Sequence, residues 1–592
     1  MNFNSRHHWL MGGVVCALVT ASSCMDNAYD LSDIDTTVRL NVKELTIPMN
    51  LDVITFDQVF DINEDSEVKV EQDENGNTIY AVRIKGDFKS DDIKINAFNT
   101  SKPNIHPIES TLELNTGASI PNVPGMPDIE IPDIYFHYPI TEELTSISTQ
   151  SNNVDKSIRQ IKTLDVATTI TIMIEIDNTI PSSIMRNIKV EGLKIQYPKG
   201  IIAEPQGVKG TYDSKTGVLV VEEALTPQNG KIQLLLDVKG IDFNQSDASF
   251  EAGDPGVFTF EDKVGVIEGF VNVYVNETPP SHVNFSVRPT MDAIQVRRFT
   301  GKIEYAVEQF NIDPIELNDL PDLINQEGTS IKLANPQLYL SMSNPLKDYL
   351  TYLPVSAGFE LVAERNRDKA TYTSDLTTDP TNRDNQYVLS PNNPSKKQDG
   401  YTDAQYVQFT GLSNILDVND QGIPSTIKVN VTNPLINETE IKDFKLGTSL
   451  KGVSGDYLFY APLQLKDQST IKYEDTIDEW NDEDVDKMAI SKIKLDFTAT
   501  TEVPIDLELT VVPIDKEGKV IKGVESNTVK VPAKANNAEV HFEMTGDIKH
   551  LDGVKITAKL VNVGDDTALA PQMKLNVKNL KATLTGYYED EL

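Results

Sequence analysis

Seven histidines, two cysteines and 90 Asp and Glu residues are the chemically useful side chains of this 592-residue sequence. His106, His137, His282, His541 and His550 stand far apart, no His-Glu-x-x-His occurs, and both cysteines, Cys16 and Cys24, lie near the N-terminus. A zinc centre needs three or four such ligands brought together, so zinc catalysis is not expected. Neither Gly-x-Gly-x-x-Gly nor Gly-x-x-x-x-Gly-Lys followed by Ser or Thr is present, which removes the usual phosphate cradles. Gly452-Val453-Ser454-Gly455 has the wrong spacing for a nucleophile elbow and reads as a turn. Two carboxylates flanking one sugar would make a glycosidase, but so many acids single out no pair.

Calcium is the metal left open. Asp417-Val418-Asn419-Asp420-Gln421-Gly422 alternates oxygen ligands before a glycine, yet Lys428 stands where a bidentate Glu should close the loop. Glu474, Asp475, Asp478, Glu479, Asp482, Glu483, Asp484 and Asp486 could gather an ion, although a charged linker is the plainer reading. No cofactor is expected, and no enzymatic activity.

The N-terminus has the order of an export signal. Arg6, His7 and His8 precede an apolar stretch from Trp9 to Val19, which ends in Ala21, Ser22, Ser23 and Cys24. The apolar stretch is too short for a membrane-spanning helix, which needs about 20 residues. Small residues directly before a cysteine resemble a bacterial lipobox, which implies that 1–23 is a lipoprotein signal peptide and that Cys24 carries the acyl chains, palmitate among them. Cys24 would be the sole thiol left after cleavage, so no internal disulfide is expected.

The residues that follow, Cys24-Met25-Asp26-Asn27-Ala28-Tyr29-Asp30-Leu31-Ser32-Asp33-Ile34-Asp35, resemble the start of large surface-exposed outer-membrane lipoproteins of the Bacteroidota. That resemblance implies a surface-export signal at Asp26, Asp30, Asp33 and Asp35, and an anchored protein facing the extracellular side. Against 53 Lys and Arg the acids leave a net charge of -37, so nucleic acid and bare anionic membrane are poor partners.

The elements that must position any site read as strands. Thr426-Ile427-Lys428-Val429-Asn430-Val431, Lys492-Ile493-Lys494-Leu495-Asp496-Phe497, Asp506-Leu507-Glu508-Leu509 and Met573-Lys574-Leu575-Asn576-Val577 alternate apolar and polar residues. Turn residues stand at Asn75-Gly76, at Asp213-Ser214-Lys215-Thr216-Gly217 and at Asp515-Lys516-Glu517-Gly518. The expected fold is all-β: tandem antiparallel β-sandwiches, with short helical pieces only at Ser157 to Lys162 and Leu320 to Asn325. Strand followed by Asn-Pro, at Leu340 to Leu346 and Val429 to Leu435, resembles the Ig-like sandwich of late-embryogenesis-type domains.

The expected division is a tether 24–37, sandwiches 38–160, 161–290, 291–470 and 488–592, and an acidic linker 471–487 containing Trp480. Within the third sandwich, Arg365 to Asp403 is polar and broken by Pro380, Pro391 and Pro394; it reads as a long surface loop and a candidate contact surface. The proline-spaced stretch Pro121 to Pro139 reads as an extended connector. The function expected is a non-enzymatic binding, adhesion or surface-complex component with a glycan or protein ligand. The alternatives are a carbohydrate-active hydrolase and a fimbria-like structural subunit.

Overall fold

A computed structural model describes residues 37–48, 54–56, 67–73, 76–113, 134–177, 187–275, 280–308, 310–317, 320–321, 324–382, 384–418, 422–480, 485, 488–562, 564 and 566–591. The signal peptide, Cys24, Asp26, Asp30, Asp33, Asp35, Asn75, most of the proline-spaced stretch, Asn419 to Gln421, and Asp482, Glu483, Asp484 and Asp486 lie outside them.

The described chain is all-β, as the alternating patterns require. At its centre the Ile158–Ile176 strand buries Ile158, Ile161, Leu164, Val166, Ile170, Ile172, Ile174 and Ile176 on one face. It anchors a ten-stranded sheet in the order Ile201–Gln206, Lys231–Asp242, Ile158–Ile176, Gln295–Ala306, Thr426–Lys445, Val355–Arg365, Asp368–Thr377. His282–Met291 also pairs with Ile158–Ile176, and Ile108–Glu113 lies beyond it.

One part of this sheet packs on a seven-stranded sheet built around Gly256–Val275. The other part packs on a second seven-stranded sheet containing Thr78–Ser90, Ser454–Pro462, Gln337–Met342 and Gln386–Ser390. The C-terminal sandwich sets Met488–Thr501, Ala538–Ile548 and Lys574–Glu591 against Thr470–Ile477, Asp506–Ile514 and Gly553–Val561. It joins the rest through Gln464–Leu465 paired with Thr567–Ala568, and through the Tyr80 amide donating to the Leu569 carbonyl at 3.0 Å.

Pairing crosses the boundaries expected from sequence. Gln295–Ala306 pairs with Ile158–Ile176 on one side and Thr426–Lys445 on the other, so one continuous sheet runs through the 161–290 and 291–470 segments. Residues 38–160 contribute strands to several sheets. Among these, Thr37–Pro48 pairs with Lys574–Glu591, so the 488–592 sandwich is completed by the other end of the chain.

Three expectations change. Ser157 to Lys162 is not helical, because Ile158 begins the long strand. The apolar residues Ile158, Ile161 and Leu164 mimic a helical repeat, yet register shifts against Gln295–Ala306 skip Arg159 and Lys162 and return all three to one face of the sheet. Gly301 sits at one of these bulges, where a Cβ would lie 1.9 Å from the Gln160 carbonyl oxygen.

The 365–403 segment is not one long loop. Asp368–Thr377 forms a hairpin with Val355–Arg365, and Gln386–Ser390 enters the facing sheet. Asp368–Thr377 is an edge strand whose inward positions include Ala370 and Ser374, so its pattern is polar although its pairing is regular. Its last stretch covers the outer face of the second seven-stranded sheet, where Tyr401 and Ala404 join Tyr339, Val388, Leu458 and Tyr460 in a separate apolar cluster.

The 471–487 segment is not a solvated linker where it is described. Thr470–Ile477 pairs with Gly553–Val561, and Trp480 is buried with its amide donating to the Asp552 carbonyl at 2.9 Å. The acid there is balanced across strands, since Glu474 accepts Lys472 at 2.9 Å and Lys555 at 2.7 Å.

A candidate binding groove on the ten-stranded sheet

The histidines expected to be isolated are scattered, His137, His282 and His541 on three different strands and His106 and His550 between strands. His137 packs its ring edge-on against Phe270, at 5.8 Å between centroids, and His541 bonds Asp496 at 2.7 Å. Ser454 opens the Ser454–Pro462 strand with its hydroxyl 3.1 Å from that of Ser343 and carries no catalytic constellation among the described contacts. Among the described residues no three Asp, Glu, His or Cys side chains form a metal-binding group.

A polar concavity lies instead on the outer face of the ten-stranded sheet, a groove of about 510 Å³. Its floor follows from strand register. Lys231, Glu175, Ser286 and Glu109 lie directly opposite one another on four neighbouring strands, so their side chains form one row across the sheet. Thr111 and Asn284 form a second row, with Asp177 beside it. The Asn229-Gly230 turn closes one end. Both residues have positive φ, 51° and 78°, and Gln228 and Lys231 exchange backbone hydrogen bonds, as a tight primed hairpin requires.

The polar groups are bound to each other. Lys231 Nζ donates to Glu175 Oε1 at 2.6 Å, while Arg288 bridges two acids, reaching Glu175 Oε2 at 3.0 Å and Glu109 Oε1 at 2.9 Å. Asn284 donates to Asp177 Oδ2 at 2.7 Å and accepts from the Thr111 hydroxyl at 3.1 Å. The Lys231 hydrogen bond, seconded by Arg288, holds the Glu175 carboxyl below the usual carboxylate range.

This arrangement suits recognition better than acid catalysis. A glycosidase acid must have its pKa raised so that it carries a proton at neutral pH, and the environment of Glu175 acts in the opposite direction. Donors and acceptors fixed on adjacent strands can exchange hydrogen bonds with a hydroxyl-rich ligand while keeping their positions. A second void, of about 30 Å³, lies between the facing sheets and is lined only by apolar side chains such as Phe88, Leu340, Phe359 and Val429; it has room for a methyl group or a single water.

Sequence reasoning missed the groove. Its one local signal was Asn229-Gly230; the rest of the floor comes from strands far apart in sequence. Of the residues singled out for lipidation and export, Cys24, Asp26, Asp30, Asp33 and Asp35, all lie outside the described chain.

No protein-family model matches this sequence, and no curated protein matches it. A solved structure described as a secreted protein of Parabacteroides distasonis ATCC 8503 is similar over 49% of this chain and 90% of its own, with 17% identity and a TM-score of 0.34.

Proposed function

We propose that the protein is a lipid-anchored component of the outer cell surface that binds a hydroxyl-rich ligand, a glycan, without turning it over. The observation that carries this reading is the self-paired cluster of Lys231, Glu175, Arg288 and Glu109 on four neighbouring strands, with Glu175 held ionised. Anchoring rests on the lipobox-like run ending at Cys24. The twelve residues 25–36 then separate the lipid from Thr37 and reach at most about 45 Å, so the sandwich nearest the membrane is the one that Thr37–Pro48 completes.

The test places the full chain on a glycan array beside Arg288→Ala and analyses every bound polysaccharide for shortened products. Arg288 bridges two carboxylates, and its loss leaves Glu109 and Glu175 facing each other without the shared cation, so binding is expected to fall at least about tenfold. Equal binding by the variant removes the groove from the account. Shortened products overturn the non-enzymatic reading.

A further inference from the structure

Strand register sorts the charges of the groove onto one surface. Glu109, Thr111 and Glu113 alternate to one side of the Ile108–Glu113 strand. Opposite them stand Ser286, Asn284 and His282, with Arg288 next along the same side of its strand. Glu175 and Lys231 continue the row of Glu109 and Ser286, and Asp177 stands beside Asn284. Four carboxylates, Glu109, Glu113, Glu175 and Asp177, thus share the surface with two permanent cations, Lys231 and Arg288, which leaves two negative charges in excess.

Both cations are already engaged by those acids. Lys231 Nζ bonds Glu175 at 2.6 Å, and Arg288 bonds Glu175 at 3.0 Å and Glu109 at 2.9 Å. An acidic group on a ligand must either displace one of these carboxylates from its cation or lie beside them unpaired, whereas a hydroxyl does neither. Glu113 is exposed and carries no ion pair among the described residues, so it accepts donors and repels anions. Phe285, the one aromatic residue among those lining the groove, is 1% exposed with its ring in the core. It offers no ring face for stacking, so polar contacts and charge decide what the lining accepts.

We propose that the groove, on the reading that it is a glycan site, selects glycans that carry no acidic groups and turns away uronates and sulfated sugars. The net charge of the whole chain, -37, has the same sign, so approach and seating discriminate in one direction. A carboxylate added about 6 Å from two excess negative charges should weaken binding about tenfold at low salt.

The test titrates the full chain with a neutral glycan captured on the array in three forms: native, with its primary hydroxyls oxidised to carboxylates, and oxidised then methyl-esterified. Working at about pH 8 keeps an ordinary imidazole neutral. The oxidised form should bind about tenfold more weakly than the native one at about 0.01 M salt, and the gap should close at about 1 M, where screening shortens to about 3 Å. Esterification, which removes the charge and keeps the added atoms, should restore binding. Glu113→Gln should narrow the low-salt gap to about threefold, since it removes one of the two excess charges. Equal or tighter binding of the oxidised form, a gap that salt leaves unchanged, a loss that esterification does not restore, or an unaltered gap in Glu113→Gln overturns the proposal. If native and oxidised forms bind alike and Arg288→Ala weakens both, the groove stands as a glycan site and only its selectivity falls. A wild type that captures no glycan removes the groove, and the selectivity with it.

Discussion

Arg288 is the residue on which the groove depends. It is the shared partner of Glu109 and Glu175, and these carboxylates would otherwise face each other across Ser286. The depressed pKa of Glu175 gives a pH dependence whose sign is fixed. A carboxyl whose folded pKa lies below its unfolded value, near 4.3, contributes stability above that value and loses it as pH falls through the folded pKa. Glu175→Gln should therefore lower Tm at neutral pH, and the gap from wild type should shrink as pH falls below about 4. Melts from pH 3 to 7 measure this; a gap that widens in acid contradicts the pairing. The side chain is partly exposed, so solvent screening keeps the effect small.

At the scale of elements, bulges and chain ends do the positioning. Gly301 lets Gln295–Ala306 approach the Gln160 carbonyl, and Gly301→Val is expected to cost about 3 kcal/mol or more, read as a lowered denaturant midpoint. The C-terminal sandwich takes strands from three parts of the sequence. Residues 488–592 expressed alone should melt without cooperativity, because they lack both Thr37–Pro48 and Thr470–Ile477. Restoring 470–487 and supplying 37–48 should recover a sharp transition, measured by circular dichroism. A sharp melt of 488–592 alone would show that these two strands are dispensable.

These elements also show what could be read from sequence and what could not. Period-two alternation is local, so Thr426–Lys445, Met488–Thr501 and Asp506–Ile514 were legible, as were the Asp213–Gly217 and Asp515–Gly518 turns, each closed by a glycine with positive φ. Bulges hide that alternation, which is why Ile158, Ile161 and Leu164 read as helix. Asp368–Thr377 is an edge strand whose inward positions mix Asp368, Ala370 and Ser374 with Tyr372 and Leu376, which is why it read as loop. The groove was illegible because its rows exist only after register is set: Lys231, Glu175, Ser286 and Glu109 come from four separate strands.

At the scale of the molecule, the sheet that carries the groove is continuous. Thr426–Lys445 and Ile158–Ile176 are both hydrogen-bonded to Gln295–Ala306, so the two central sandwiches share a layer. They should unfold as one unit, with coincident transitions from probes placed in each, whereas the C-terminal sandwich, joined through short strand pairs, can separate. A ligand on the outer face would then meet a preformed surface and bind without rearranging the core.

Hydrogen exchange of the full chain, with and without a glycan captured on the array, tests that claim most directly. The account predicts new protection confined to segments 109–111, 175–177, 229–231 and 284–288, with the glycan recovered intact. Protection elsewhere on the molecule, or recovery of a cleaved glycan, would contradict it.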